Sequence, residues 1–256
     1  VMLMVCAWMV ACMWCSWDVV FVHYPSFQEH FVRPDHVLPV KMPRPWLMPT
    51  QLSCSVDGQV AVGDGMRIFT ADIQGDGLWH GPFRNCDTAF SAFAHTSNGH
   101  LVAVASGSAV LTLQDIECHT IELSVVDAGS LEALAFDAGN GQDLDGVALR
   151  ENQLLALEVN HGHVEISGRL SVPANHTWIS VSVHDGRILL LNDVGALFEF
   201  IESKWSGPMW LTEEGVAWSS LCAVQDGWIA LGRRAGQEAN LWRFRRRRTV
   251  SRALEM

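Results

Sequence analysis

From about residue 50 onward the chain alternates between apolar and polar positions, in short runs separated by turn residues. The clearest stretch is Trp178 to Leu211, which reads as WISVSVH, RILLLN, ALFEFI and a last run ending WSGPMWL. Asp185-Gly186 separates the first two runs, and Asp-Gly between alternating apolar runs is a strong hairpin signal. Four short strands joined by tight turns are predicted here.

The unit repeats. Gly58, Gly99, Gly146, Gly186 and Gly227 each mark a turn between two apolar runs, at spacings of 41, 47, 40 and 41 residues. The long interval holds a polar insertion from Gly139 to Leu144, and without its six residues the spacing returns to 41. Four-stranded propeller blades repeat every ~40–45 residues. Two positions past each glycine stands an apolar residue set to point inward: Val60, Leu101, Ala148, Ile188 and Ile229. A third strand is predicted in all five units and a fourth in four of them. Trp79 to Pro82 and Trp205 to Pro208 share Trp-x-Gly-Pro in that fourth strand, where an outer edge tolerates proline's missing N–H.

The fifth unit runs into Arg245, Arg246, Arg247 and Arg248 before a fourth strand can form. Arg44-Pro45-Trp46-Leu47-Met48 resembles Gly207-Pro208-Met209-Trp210-Leu211, so the segment near residue 44 is expected to supply the missing strand and close the ring. The expected fold class is all-β: a five-bladed β-propeller of four-stranded blades over residues 41–244, closed by an N-terminal strand. A two-sheet sandwich also gives short alternating strands, but it requires no 41-residue self-similarity.

The flanks differ in kind. Val1 to Trp17 is uncharged, and after Asp18 the apolar run resumes through Val22. A membrane-crossing helix needs ~20 apolar residues, so residues 1–22 are expected to form one transmembrane anchor. A cleaved signal peptide is the rival reading. Six prolines between Pro25 and Pro49 exclude a long helix, and 23–40 reads as a linker. The formal charge is −11, yet six arginines fall between Arg243 and Arg252, leaving −17 on the remainder. An acidic body carries no footprint for nucleic acid. The basic tail at 245–256 is expected to lie on its own acidic domain, or to touch an acidic partner, RNA or anionic lipid.

Candidate chemistry is sparse. Cys54, Cys86, Cys118 and Cys222 lie beyond the apolar segment in no metal-like spacing; they read as buried thiols or as two disulfides of open connectivity. Asn175-His176-Thr177 is a glycosylation sequon before Trp178. His161 and His163 form the one close histidine pair, two ligands without a third. Asp143 and Asp145 suggest a calcium loop but lack its closing Glu. Asp57, Asp145, Asp185 and Asp226 recur at the turns, where Asp caps its own backbone. No nucleophile stands in a recognisable motif with a companion histidine, so no enzyme, cofactor or metal site is expected. Trp79, Trp205 and Trp210 fall on outer strands or blade junctions, as partner- or sugar-binding candidates or as packing between blades.

Trp178, Asp185-Gly186, Leu197 and Trp205, with Trp218, Asp226-Gly227 and Leu241-Trp242, carry a resemblance to tectonin-type and tachylectin-like propeller repeats over roughly residues 44–244. They are similar to WD-type blades nearly as well, although no Trp-Asp pair closes a blade. The lectin resemblance implies sugar binding between blades; the WD-type one implies protein docking. The expected function is a non-catalytic interaction or scaffold module, an accessory subunit of a single-pass membrane complex with the propeller lumenal or extracellular. A secretory-pathway lectin is the alternative.

Overall fold

Every residue of the run Arg187–Asn192 is buried. Ile188 and Leu190 pack into one apolar cluster, Leu189 and Leu191 into another. A strand's side chains alternate between its two faces, so this strand has a neighbour on each side. That explains why it reads as a continuous apolar run. It is one of 21 strands among the described residues.

The structure is a computed structural model that describes residues 30–245 apart from 39, 44–47, 56, 75–76, 84–88, 98, 106–109, 115–116, 122–130, 138–144 and 161–162. Strands β1 (His30–Val32) and β2 (His36–Val37) come first. The first sheet holds β3 (Gln51–Cys54), β4 (Gln59–Gly63), β5 (Ile68–Asp72) and β6 (Trp79–His80). The second holds β7 (Phe90–His95), β8 (Leu101–Ala105), β9 (Val110–Gln114) and β10 (Glu117–Ile121). The third holds β11 (Ala133–Phe136), β12 (Gly146–Arg150), β13 (Gln153–Asn160) and β14 (His163–Leu170). The fourth holds β15 (Trp178–His184), β16 (Arg187–Asn192), β17 (Ala196–Ile201) and β18 (Lys204–Leu211), with β1 added beyond β18. The fifth holds β19 (Val216–Val224), β20 (Gly227–Arg234) and β21 (Ala239–Arg245), with β2 as its outer strand.

All pairings described in register are antiparallel, and the first strand of each sheet is innermost. Strand β3 touches β7, β7 touches β11, β11 touches β15, β15 touches β19, and β19 returns to β3. A separate apolar cluster fills each junction between neighbouring sheets, the one between fifth and first included. Burying apolar side chains stabilises by about 25 cal/mol per Å², so these five clusters hold the sheets around one axis. The fold is an all-β propeller.

Ring closure departs from expectation in its location. The closing strand is His36–Val37, paired with Trp242 and Arg243 of β21 and extended by backbone bonds from Asp35 and Leu38. It lies inside the stretch read as a linker, some ten residues before the expected one. Two residues between prolines carry too little pattern to read as a strand. Residues 44–47 lie outside the described residues, and Met48 is exposed outside any strand. The closure is also covalent: a disulfide joins Cys54 of β3 to Cys222 of β19, with the Cα atoms 5.7 Å apart. The expected anchor helix at 1–22 lies outside the described residues, among which no helix is long and apolar enough to cross a membrane.

Candidate docking face

The turns that join β3 to β4, β15 to β16 and β19 to β20 lie at one end of the ring, where Gly58, Asp185 and Gln225 line one cavity. Asp185 and Gly186 have φ of 52° and 68°, the left-handed pair of a type I′ hairpin turn that matches strand twist. The fifth sheet departs from the expected Asp-Gly turn. Its turn residues are Gln225 and Asp226, while Gly227 already belongs to β20. A Cβ on Gly227 would lie 2.0 Å from the Phe244 carbonyl oxygen, so close backbone approach demands glycine there.

Two of these turns are held from the neighbouring sheet. The buried Asp137, just after β11, accepts the backbone N–H groups of Asp185 and Gly186 at 2.8 and 2.7 Å. The buried Arg187 of β16 donates to the carbonyls of Val224 and Gly227 at 3.3 and 3.0 Å, and pairs with Glu199 at 3.3 Å. Charge-assisted bonds of this kind are shorter and stronger than neutral ones. They fix the turns of the fourth and fifth sheets as a preformed surface.

A cavity of about 620 Å³ opens on this face at the seam between the first, fourth and fifth sheets. Ser55 and Gln74 reach it from the first sheet, His184 and Asp185 from the fourth, and Gln225, Asp226 and Arg243 from the fifth. Leu38, Ile73, Val224 and Ile229 form its apolar wall. A smaller depression of about 290 Å³ adjoins it and shares His184, Asp185 and Gln225. Arg243 donates one guanidinium nitrogen to both carboxylate oxygens of Asp226, at 3.0 and 3.2 Å. Partial burial raises the Asp226 pKa, but the bonds and charge of Arg243, aided by Arg245, hold it below the usual carboxylate range. His184 Nε2 lies 3.7 Å from the exposed Asp185 carboxylate.

The three tryptophans singled out from sequence do not converge on the cavity. The Trp79 indole N–H donates to the Lys41 carbonyl, and its ring packs on the cluster between first and fifth sheets. Trp205 donates to Ser171 O at 2.6 Å, packs against Phe200 with ring centroids 4.9 Å apart and planes tilted by 47° and, with Trp210, joins the cluster between third and fourth sheets. These indoles sit at sheet junctions. Arg245 is exposed, with Nε 3.7 Å from Asp35 and 3.8 Å from Asp226. Arg246, Arg247 and Arg248 lie outside the described residues, as do His161 and Asp143. Asn175 stands exposed in the connection before β15. Among the described residues no three His, Cys, Asp or Glu side chains gather as a metal set.

Sequence reading left the disulfide question open, and the structure pairs Cys54 with Cys222. That reading missed a row of serines on inner strands that reach the next sheet. Ser182 Oγ accepts Ala223 N–H at 2.7 Å, Ser220 Oγ accepts Leu52 N–H at 3.1 Å, and Ser53 Oγ accepts His95 N–H at 2.8 Å. These donors face the ring axis, where no strand pairs with them.

No family model matches the chain, and no curated protein does. It is similar to solved structures. One is a structural genomics protein of unknown function from Bacteroides thetaiotaomicron VPI-5482, at 12% identity and a TM-score of 0.55. That match covers 79% of this chain and 60% of the other, so the chain spans less than two thirds of that protein. Another is the β-propeller domain of Cps50 (Swd1) from Myceliophteria thermophila, at 12% identity and a TM-score of 0.47, covering 76% of this chain and 83% of that one. At such identity the first likeness shows the fold alone.

Proposed function

We propose that the chain is a non-catalytic protein-interaction module, a rigid five-bladed ring that docks a partner through the turn face bearing the cavity. The observation that carries this reading is the locking of that face from neighbouring sheets by Asp137 and Arg187. A preformed surface loses little conformational entropy on binding, which suits docking. Two of its charged groups are already engaged in structure: Asp226 holds Arg243, and Asp137 holds a turn. That favours recognition over proton transfer. The Cys54–Cys222 disulfide supports a location on the oxidising side of a membrane, since such bonds persist in secretory, extracellular or periplasmic settings. The apolar 1–22 segment then serves as its anchor, in an accessory subunit of a membrane complex.

Site-specific photo-cross-linking tests this. Benzoylphenylalanine is placed at Gln225 or Glu202 on the turn face, and at Val194 or Gln237 at the opposite ends of the strands. The expected result is one partner protein, identified by mass spectrometry from the turn-face positions alone, in a carbonate-resistant membrane pellet. Cross-links from the opposite face alone overturn the reading. So does a glycan-array signal without any cross-linked protein, which favours a lectin.

A further inference from the structure

We infer that the cavity on the turn face is a site for arginine side chains, and that its first occupant is the Arg-rich segment of this chain that follows β21. Three observations converge. The cavity combines carboxylates, Asp185 and Asp226, with the apolar surface of Leu38, Ile73 and Val224. An arginine presents that pairing in reverse, a charged head on an apolar stem. A guanidinium already sits in the wall: Arg243 on both oxygens of Asp226, at 3.0 and 3.2 Å. Finally, β21 delivers the chain to the rim. Arg245 lies 3.8 Å from Asp226, and the chain continues with Arg246, Arg247, Arg248 and Arg252.

Reach and charge both suit this occupant. An extended chain spans about 3.3–3.6 Å per residue, so the three residues after Arg245 reach about 10 Å from the rim. The remainder of the protein carries a formal −17 once the six arginines at 243–252 are set aside from the total of −11. A partner that docks here through its own cationic side chains must displace this segment, which makes it a built-in competitor. That consequence rests on the docking reading; the occupancy itself does not.

The probe is a fluorescein-labelled synthetic peptide of residues 245–256, and binding is read by anisotropy. It is tested against the full chain and against the full chain with R246Q, R247Q, R248Q and R252Q. The altered chain is expected to bind the peptide about tenfold more tightly than the native one, because its own segment no longer competes. Added salt weakens that binding. Asp185→Asn in the altered chain lowers the affinity about tenfold. Asn is favoured at a type I′ turn, so this change preserves the hairpin. Asp193→Asn, in the turn at the other end of β16, changes nothing. Equal affinity of native and altered chains overturns the inference, as does full binding to the Asp185→Asn form. Turn-face cross-links to a partner alongside either result leave the docking reading standing. Opposite-face cross-links with the expected peptide behaviour remove the docking reading and leave the arginine site.

Discussion

Cys54 and Cys222, 168 residues apart in the chain, form the covalent bond between the first and fifth sheets. They occupy equivalent positions: Cys54 stands opposite Val60 and Cys222 opposite Ile229, each partner two residues past a glycine of the 41-residue repeat. The bond lies at the seam that β2 also closes, so strand pairing and disulfide resist the same opening.

Replacing both cysteines by serine is expected to destabilise the domain by about 2–4 kcal/mol, because a long loop of the unfolded chain is released. Urea unfolding with and without reductant checks this. The native protein should lose stability on reduction, while the double variant should show the same midpoint in both buffers. A native protein indifferent to reductant, with thiols free to alkylation, would refute the latch.

His95 predicts an acid sensitivity. Its ring is buried at the end of β7, with Nδ1 3.1 Å from Ser53 Oγ and no partner at Nε2. Burial penalises the charged imidazolium and lowers the pKa from 6.5 to about 4. The unfolded chain therefore binds this proton more readily than the folded one. Stability is fully present above about pH 6.5, falls as the pH drops toward 4, and levels off below it, a loss of about 3 kcal/mol at most. His95→Phe should flatten that slope, since Ser53 still accepts the backbone N–H. Urea midpoints at several pH values between 4 and 7.5 provide the comparison.

The serine row gives a third expectation. Ser220→Ala removes the acceptor for Leu52 N–H and the partner of Ser180 Oγ at 3.1 Å. A buried donor left unsatisfied costs about 1–3 kcal/mol. Ser219→Ala, one residue away and bonded only within its own hairpin at 3.4 Å, should change stability by less than about 0.5 kcal/mol. Equal effects of the two changes would show that the bond between sheets contributes nothing.

The repeat was legible because the second strand of a sheet buries both faces: near-continuous apolar runs and turn glycines recur wherever β16 and its counterparts do. Asp185-Gly186 could be read because Asp and Gly tolerate the left-handed backbone that such a turn requires. What stayed hidden depends on the ring. A two-residue strand at His36–Val37 has no period to detect. Ser182, Ser220 and Ser53 look like ordinary polar positions until the neighbouring sheet supplies an N–H. The equivalence of Cys54 and Cys222 in the repeat was a usable signal, since first and last sheets of a closed ring are neighbours. Trp79 and Trp205 read either as anchors or as packing between blades, and each indole N–H ends on a carbonyl of an adjoining segment.

Arg187 links stability to the turn face. Its guanidinium bridges Glu199 within the fourth sheet and the carbonyls on either side of the Gln225-Asp226 turn in the fifth. Arg187→Met keeps much of the apolar stem but removes every one of those bonds, at an expected cost of about 3–5 kcal/mol, as for a broken buried ion pair. Arg187→Lys should recover only part of this, because an ammonium cannot fork between two carbonyls and a carboxylate. Hydrogen exchange separates local from global effects. In both variants the amides of 224–227 should exchange faster than the strand interior, as expected when one turn opens ahead of the whole domain. The turn carries Gln225 and Asp226, so its loosening should also weaken binding of the 245–256 peptide to the arginine-altered chain. If 224–227 stays as protected as in the native protein, Arg187 does not hold the turn, and the face owes its rigidity to the strands alone.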